Sequence, residues 1–120
     1  MAENDVILVG NLTRSPELRF SGNGTAIANL GIAVSNRRKQ ADGSYEDVPQ
    51  FFDVQLFGSL AENVAGSLDK GNRVIVSGKL TYRTWENNGE KRTKVEVTAD
   101  AVGPDLRWAT TSVTRTERPQ

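Results

Sequence analysis

Apolar and polar residues alternate along most of the 120-residue chain, and the alternation stops at clusters of Gly, Asn, Asp and Pro. A period of two is that of a half-buried strand, so the pattern predicts short strands joined by turns. VILVGNL (Val6 to Leu12) is apolar on both alternate faces, which fits a strand covered on two sides by a barrel wall or by a partner subunit. SPELRF and SGNG then read as breakers. In TAIANLGIAVS, Ala26, Ala28, Leu30, Ile32 and Val34 fall on one face, with Asn29, Gly31 and Ser35 on the other and Gly31 marking a bend. The charged stretch NRRKQADGSYEDVP turns at Asp42-Gly43 and reads as a long hairpin excursion. It returns into FFDVQLF, where Phe52, Val54 and Leu56 share one face while Phe51 and Phe57 lie on the other with Asp53 and Gln55.

The period then changes. In SLAENVAGSLDKG, Leu60, Val64 and Leu68 recur every four residues, Ser59 and Glu62 have capping-box spacing, and Gly71 is the expected stop of one short helix. RVIVSGKLTYRTW returns to a period of two. Val74, Val76, Leu80 and Tyr82 share the inward phase; Ser77, Lys79, Thr81, Arg83 and Trp85 share the other. Asn88-Gly89 predicts a type I′ turn into KRTKVEVTADAV, with Val95 and Val97 turned inward. Three strands, a helix and two strands is the order of an all-β, five-stranded oligonucleotide/oligosaccharide-binding (OB) barrel, the best of several small-barrel solutions that the spacing permits.

The length fits one domain. We expect the barrel over residues 1–110 and a short tail over 111–120, with TRTERPQ frayed. Fifteen basic residues balance fifteen acidic ones, so an electrostatic case for nucleic acid rests on local clustering. The absence of Cys and His removes disulfides, thiolate nucleophiles, sulfur-ligated metals and the commonest general base. The carboxylates form no paired arrangement, and no phosphate-loop or nucleophile motif occurs. The expectation is therefore a non-enzyme without metal or cofactor. No apolar run approaches the length of a membrane span, and a soluble, cytoplasmic protein is expected.

One group of residues carries chemistry. A binder of single-stranded nucleic acid needs flat π-surfaces for unstacked bases and cations near them for phosphates. Phe51, Phe57 and Trp85 lie on polar faces by phase, with Lys79 and Arg83 beside them, and Arg37, Arg38 and Lys39 form a basic triplet at the start of the excursion. A strand phenylalanine is ordinarily core and a three-charge run ordinarily a solvated loop, so it is the polar-face phase and the shared neighbourhood that single these out. Tyr82 is core by phase.

VILVGNL, PELRF, NG, AIANL, LFGSLAENVA, KGNRVIVSGKL and the YRTW hairpin, in that order from about Val6 to Val102, make the chain resemble the bacterial single-stranded DNA-binding proteins. The resemblance implies an OB fold, a homotetramer, and sequence-tolerant single-strand binding at the nucleoid in replication, recombination and repair. It places Trp85 and Phe57 at stacking positions, Phe51 at a position that is tryptophan in relatives, and Arg38 where many members have a further tryptophan, so that a guanidinium would stack there. Arg14, Arg19, Arg37, Lys39, Lys70, Lys79, Arg83, Arg92 and Lys94 are the candidate phosphate contacts. Asp5, Asp53, Ser59 and Thr84 stand where relatives often carry a cation, which predicts a shallow salt dependence.

GPDLRWATTSV resembles an additional C-terminal strand of actinobacterial members that clamps neighbouring subunits, which would make Trp108 structural. Family members continue into a flexible tail with an acidic, apolar tip. This sequence ends TRTERPQ, which fits a trimmed chain or a short paralogue, and DNA binding without tail-mediated recruitment is expected of it. Two other readings stay open at this point: an RNA-binding or primosome-type accessory OB module, and an OB domain that serves only as an assembly scaffold. Stacking does not read the 2′-hydroxyl, so the aromatics do not choose between RNA and DNA.

Overall fold

Six strands and one helix follow one another in the computed structural model, which describes residues 3–117. They are β1 (Asp5–Leu12), β2 (Glu17–Phe20), β3 (Ala26–Lys39), β4 (Tyr45–Phe57), α1 (Ser59–Ala65), β5 (Arg73–Asn87) and β6 (Glu90–Pro104). The hydrogen-bonded order is β1-β5-β6-β4-β3-β2, and β1 also pairs with β3 through Asn11–Ala33 and Leu12–Ile32. That last pairing closes five strands into an OB-type barrel and removes the edges an open sheet would expose. β2 is the extra strand, lying beside β3 on the edge that β1 occupies further along.

The inward phases read from the sequence build the core. Ala28, Leu30, Ile32, Val54, Leu56, Val74 and Val76 are wholly buried, and Leu12, Ala26 and Val97 nearly so. Helix α1 packs against β3, β2, β4 and β6 and adds Ala61 and Val64 to this core, followed by Leu68 beyond the helix end. The cap differs from the expected box. Gly58, at φ 71, is the N-cap and no side chain caps the helix; α1 ends at Gly66, short of Gly71. A left-handed glycine leads the chain from β4 into the first turn, so Ser59 already lies inside the helix, where its hydroxyl no longer has capping geometry.

Three further expectations are corrected, and the expectation for the excursion is met. PELRF is not a breaker: Glu17–Phe20 pairs with Ala26–Asn29, and since all four side chains are exposed, no burial alternation could announce the strand. The excursion is the hairpin expected, a two-stranded ribbon paired from Val34–Gln50 out to Lys39–Tyr45 and closed by Asp42, whose Oδ1 accepts the Ser44 N–H at 3.0 Å. Tyr82, Leu80 and Val95 are exposed instead of inward, because β5 and β6 continue as an arm beyond the barrel, where the inward phase has nothing to pack on. No strand forms over Asp105–Glu117. A strand that clamps a neighbouring subunit pairs across the interface, so its partner strand lies in a second chain.

The segment after β6 is fastened all the same. Arg73 Nε donates to Asp105 Oδ2 at 2.8 Å, and the Arg107 N–H donates to Asp105 Oδ1 at 3.1 Å. The Arg73 guanidinium, and then the Arg107 N–H, hold the Asp105 carboxyl below the usual carboxylate range. Both guanidiniums lie over the Trp108 ring, at 5.1 and 5.2 Å from its centroid. Thr111–Thr114 line a cavity of about 310 Å³ with Leu60, Val64 and Leu68, so the first residues of the expected tail run along the helix. Residues 118–120 of that tail lie outside the described residues.

Candidate nucleic-acid interface

The outward phase of the barrel wall forms one face of cross-strand rows. Arg19, Ile27 and Phe57 stand in register across β2, β3 and β4. The next row is Glu17, Asn29, Gln55, Thr98 and Lys79, carried from β4 to β6 by the parallel pairing of Gln55 with Thr98. Gly31 with Asp53, and Ala33 with Phe51, follow on β3 and β4, while Thr81–Glu96, Arg83–Lys94 and Trp85–Arg92 follow on β5 and β6. Successive rows are about 6.6 Å apart, so Phe57 and Phe51, six residues apart on β4, lie about 20 Å apart along the face.

The three sequence-selected aromatics all reach this face and all remain open to solvent: Phe51 is 70% exposed, Phe57 44% and Trp85 39%. Each projects from a paired strand, which orients the ring without a buried contact to hold it. Arg83 lies over the indole, its Cζ 4.8 Å from the Trp85 ring centroid, while the ring stays partly open to solvent.

Between the aromatics lies a polar groove of about 300 Å³ lined by Arg14, Arg19, Asn29, Asp53, Gln55, Arg83, Lys94 and Glu96. Four cations against two carboxylates leave it with a net charge of +2 on a chain that is neutral as a whole. The groove therefore attracts anions on a chain whose remaining charges sum to a small negative value. Two of its cations are already occupied: Lys94 Nζ lies 2.6 Å from Asp53 Oδ2, and Arg83 Nε 3.1 Å from Glu96 Oε1, with Glu96 buried. Arg14 and Arg19 form no ion pair among the described residues.

Arg14 has a specific seat. It leaves the turn after β1, where the Thr13 N–H donates to the Gly31 carbonyl at 2.9 Å, and its guanidinium crosses the bare backbone of Gly31, where a Cβ would overlap Arg14 Nη1 and Thr13 Oγ1. Gly31 lies in unbroken register with Asp53, so the glycine makes room for an arginine; it does not bend the strand.

The remaining candidates are spread more widely. Lys79 lies on the face opposite Thr98, and Arg92 lies opposite Trp85 and pairs with Glu90 at 3.0 Å. Lys70 follows the helix, its N–H donating to Ser15 Oγ at 3.1 Å, which brings it near Arg14 but outside the groove lining. Arg37 and Lys39 share the ribbon face that continues from Phe51. Arg38, opposite Glu46, has the other phase and points with Val34 and Val48. Sequence reasoning missed Asn29, Gln55 and Glu96 as groove residues; each lies in outward phase on a strand correctly read, and that phase was the available signal.

A closed barrel of OB topology with one aromatic and basic face is a surface built for an extended, unstacked polyanion. Residues 3–105 match the single-strand binding protein family, and the chain belongs to it. It is 44% identical over 119 residues to the single-stranded DNA-binding proteins of Paenarthrobacter nicotinovorans and Mycobacterium tuberculosis strain H37Rv, covering 97% of this chain and 70% and 73% of theirs. Among solved structures it resembles the small single-stranded DNA-binding protein of Streptomyces coelicolor, with a TM-score of 0.70 and 34% identity over 88% of this chain and 97% of that one. It also resembles a deletion mutant of the Thermus aquaticus single-stranded DNA-binding protein, with a TM-score of 0.77 and 37% identity over 87% of this chain, and spans about half (51%) of that protein.

Proposed function

We propose that this chain binds single-stranded DNA without marked sequence preference and protects it during replication, recombination and repair. The carrying observation is the placement of Phe51, Phe57 and Trp85, all solvent-open, around a groove of net charge +2. Bases stack on the three rings, and phosphates meet Arg14 and Arg19 first, because these cations need not leave an acidic partner. Arg83, Lys94 and Arg92 contribute after exchanging Glu96, Asp53 and Glu90 for phosphate. The names of the relatives support the same substrate.

We further propose a homotetramer. On β1 and β5 the outward face away from the groove is apolar: Ile7 is 72% exposed, and Val9 stands opposite Ile75, itself opposite Gly103 of β6. An exposed apolar strip of this kind on a neutral chain is a subunit contact. Light scattering reads the subunit count directly, and Ile7→Asp is expected to lower it. No helix among the described residues is long and apolar enough to cross a membrane, and work on DNA would place the protein at the nucleoid.

Intrinsic tryptophan fluorescence titrated with oligo-dT, duplex DNA and oligo-U tests the binding mechanism. The expected result is quenching by oligo-dT, weak binding of duplex, and an affinity loss of about 1–3 kcal/mol in Trp85→Ala, read by competition. Equal affinity for duplex, or an unchanged Trp85→Ala, would sink the stacking reading.

A further inference from the structure

We infer that the β3–β4 ribbon carries a further base-stacking site, Tyr45 backed by Arg37, which extends the single-strand path beyond Phe51. The inference rests on the proposed function of the groove. Three observations carry it.

The first is phase. Tyr45, Phe51 and Phe57 are spaced by six residues on one strand, and β4 pairs with β3 without a break from Phe57–Ile27 to Tyr45–Lys39. All three rings therefore leave the same side of the ribbon. Tyr45 is 58% exposed, within the range of the groove aromatics.

The second is the Arg37 geometry. In register Arg37 faces Asp47, yet it forms no ion pair with it; its guanidinium lies instead over the Tyr45 ring, Cζ 4.7 Å from the centroid. An arginine that passes over the opposed carboxylate keeps its donors for another acceptor, and a phosphate is the anion that a stacked base brings with it.

The third is repetition. The β5–β6 arm presents Trp85 with Arg83 at 4.8 Å, which is the same pairing of a solvent-open ring with one guanidinium over it. Trp108 is the contrast: Arg73 and Arg107 both lie over its ring, in keeping with a structural role. Two arms thus bear the same aromatic and guanidinium unit, one on each flank of the groove.

The test compares two lengths of oligo-dT. A short one covers Phe57 to Phe51, and a long one covers Phe57 to Tyr45, about 40 Å along β4. Tyr45→Ala is expected to bind the short strand as the unsubstituted protein does and the long strand about tenfold more weakly. Tyr45→Phe keeps full affinity for both, and Arg37→Gln lowers the slope of log K against log salt by about 0.7 with the long strand alone. The inference is overturned if Tyr45→Ala matches the unsubstituted protein on the long strand while Trp85→Ala does not, a result that leaves the groove reading standing. If Trp85→Ala also binds both strands normally, the groove reading fails and takes this one with it. Tyr45 and Arg37 are both exposed, and far-ultraviolet dichroism checks that the variants remain folded.

Discussion

Lys94 Nζ stands 2.6 Å from Asp53 Oδ2, so the wall of β4 neutralises a cation of β6 inside the groove. Both side chains are about two-fifths exposed, and the pair contributes little to stability, about 0–1 kcal/mol. Its effect falls on the polyanion. Asp53→Asn is expected to bind oligo-dT more tightly, with a salt slope steeper by about 0.7, at nearly unchanged melting temperature. Titrations at several salt concentrations measure both quantities, and an unchanged slope would show that Lys94 meets no phosphate.

Gly31 and Arg14 form the next relationship to probe. A methyl group on Gly31 displaces the guanidinium that crosses it. Gly31→Ala should weaken oligo-dT binding by about 1–2 kcal/mol, the scale of one lost charge-assisted contact. Arg14→Ala should do the same, and the double variant should be no worse than either alone. Additive losses would mean that glycine and arginine act separately.

The stability consequences separate two residues of one sequence phase class. Leu30, wholly buried, should cost about 2–5 kcal/mol as Leu30→Ala in chemical denaturation. Tyr82, inward by alternation but exposed on the arm, should cost within about 0.5 kcal/mol as Tyr82→Ala.

Acid should loosen the segment after β6. In the folded chain Asp105 titrates below its ordinary 3.8, because Arg73 and then the Arg107 N–H favour the carboxylate. A depressed folded pKa stabilises the attachment fully above the ordinary value, and that contribution disappears as pH falls through the lower, folded one. In a Trp85→Phe background, Trp108 fluorescence should change across that acidic window. Adding Asp105→Asn should abolish the transition, and a transition that survives would point to another group.

Alternation made the barrel legible: Ala28, Leu30, Ile32, Val54, Leu56, Val74 and Val76 were inward by sequence and are buried. Phase likewise placed Phe51, Phe57 and Trp85 outward, and all three are exposed. Alternation does not tell where a barrel ends. Tyr82 and Val95 keep the inward phase after the wall has stopped, so the same pattern that buries Val76 leaves them in water. β2 was illegible for the opposite reason, its four residues being exposed and paired through the backbone with β3, so that no burial alternation marks them. The groove's ion pairs join β4 to β6 and β5 to β6, and the closeness of Asp53 to Lys94 comes from a parallel junction that no local pattern encodes.

One unbroken strand, β5, carries Ile75 at its barrel end and Trp85 on its arm, both on the outward side. Side-chain direction in a strand is a matter of counting, and a single inserted residue reverses everything beyond it. One residue added between Lys79 and Arg83 would leave Val74, Val76 and Ile75 where they are and turn the indole to the back of the arm. A change in chain length, by one residue, would thus keep the buried phase of the barrel end and reverse the side of the arm that presents Trp85.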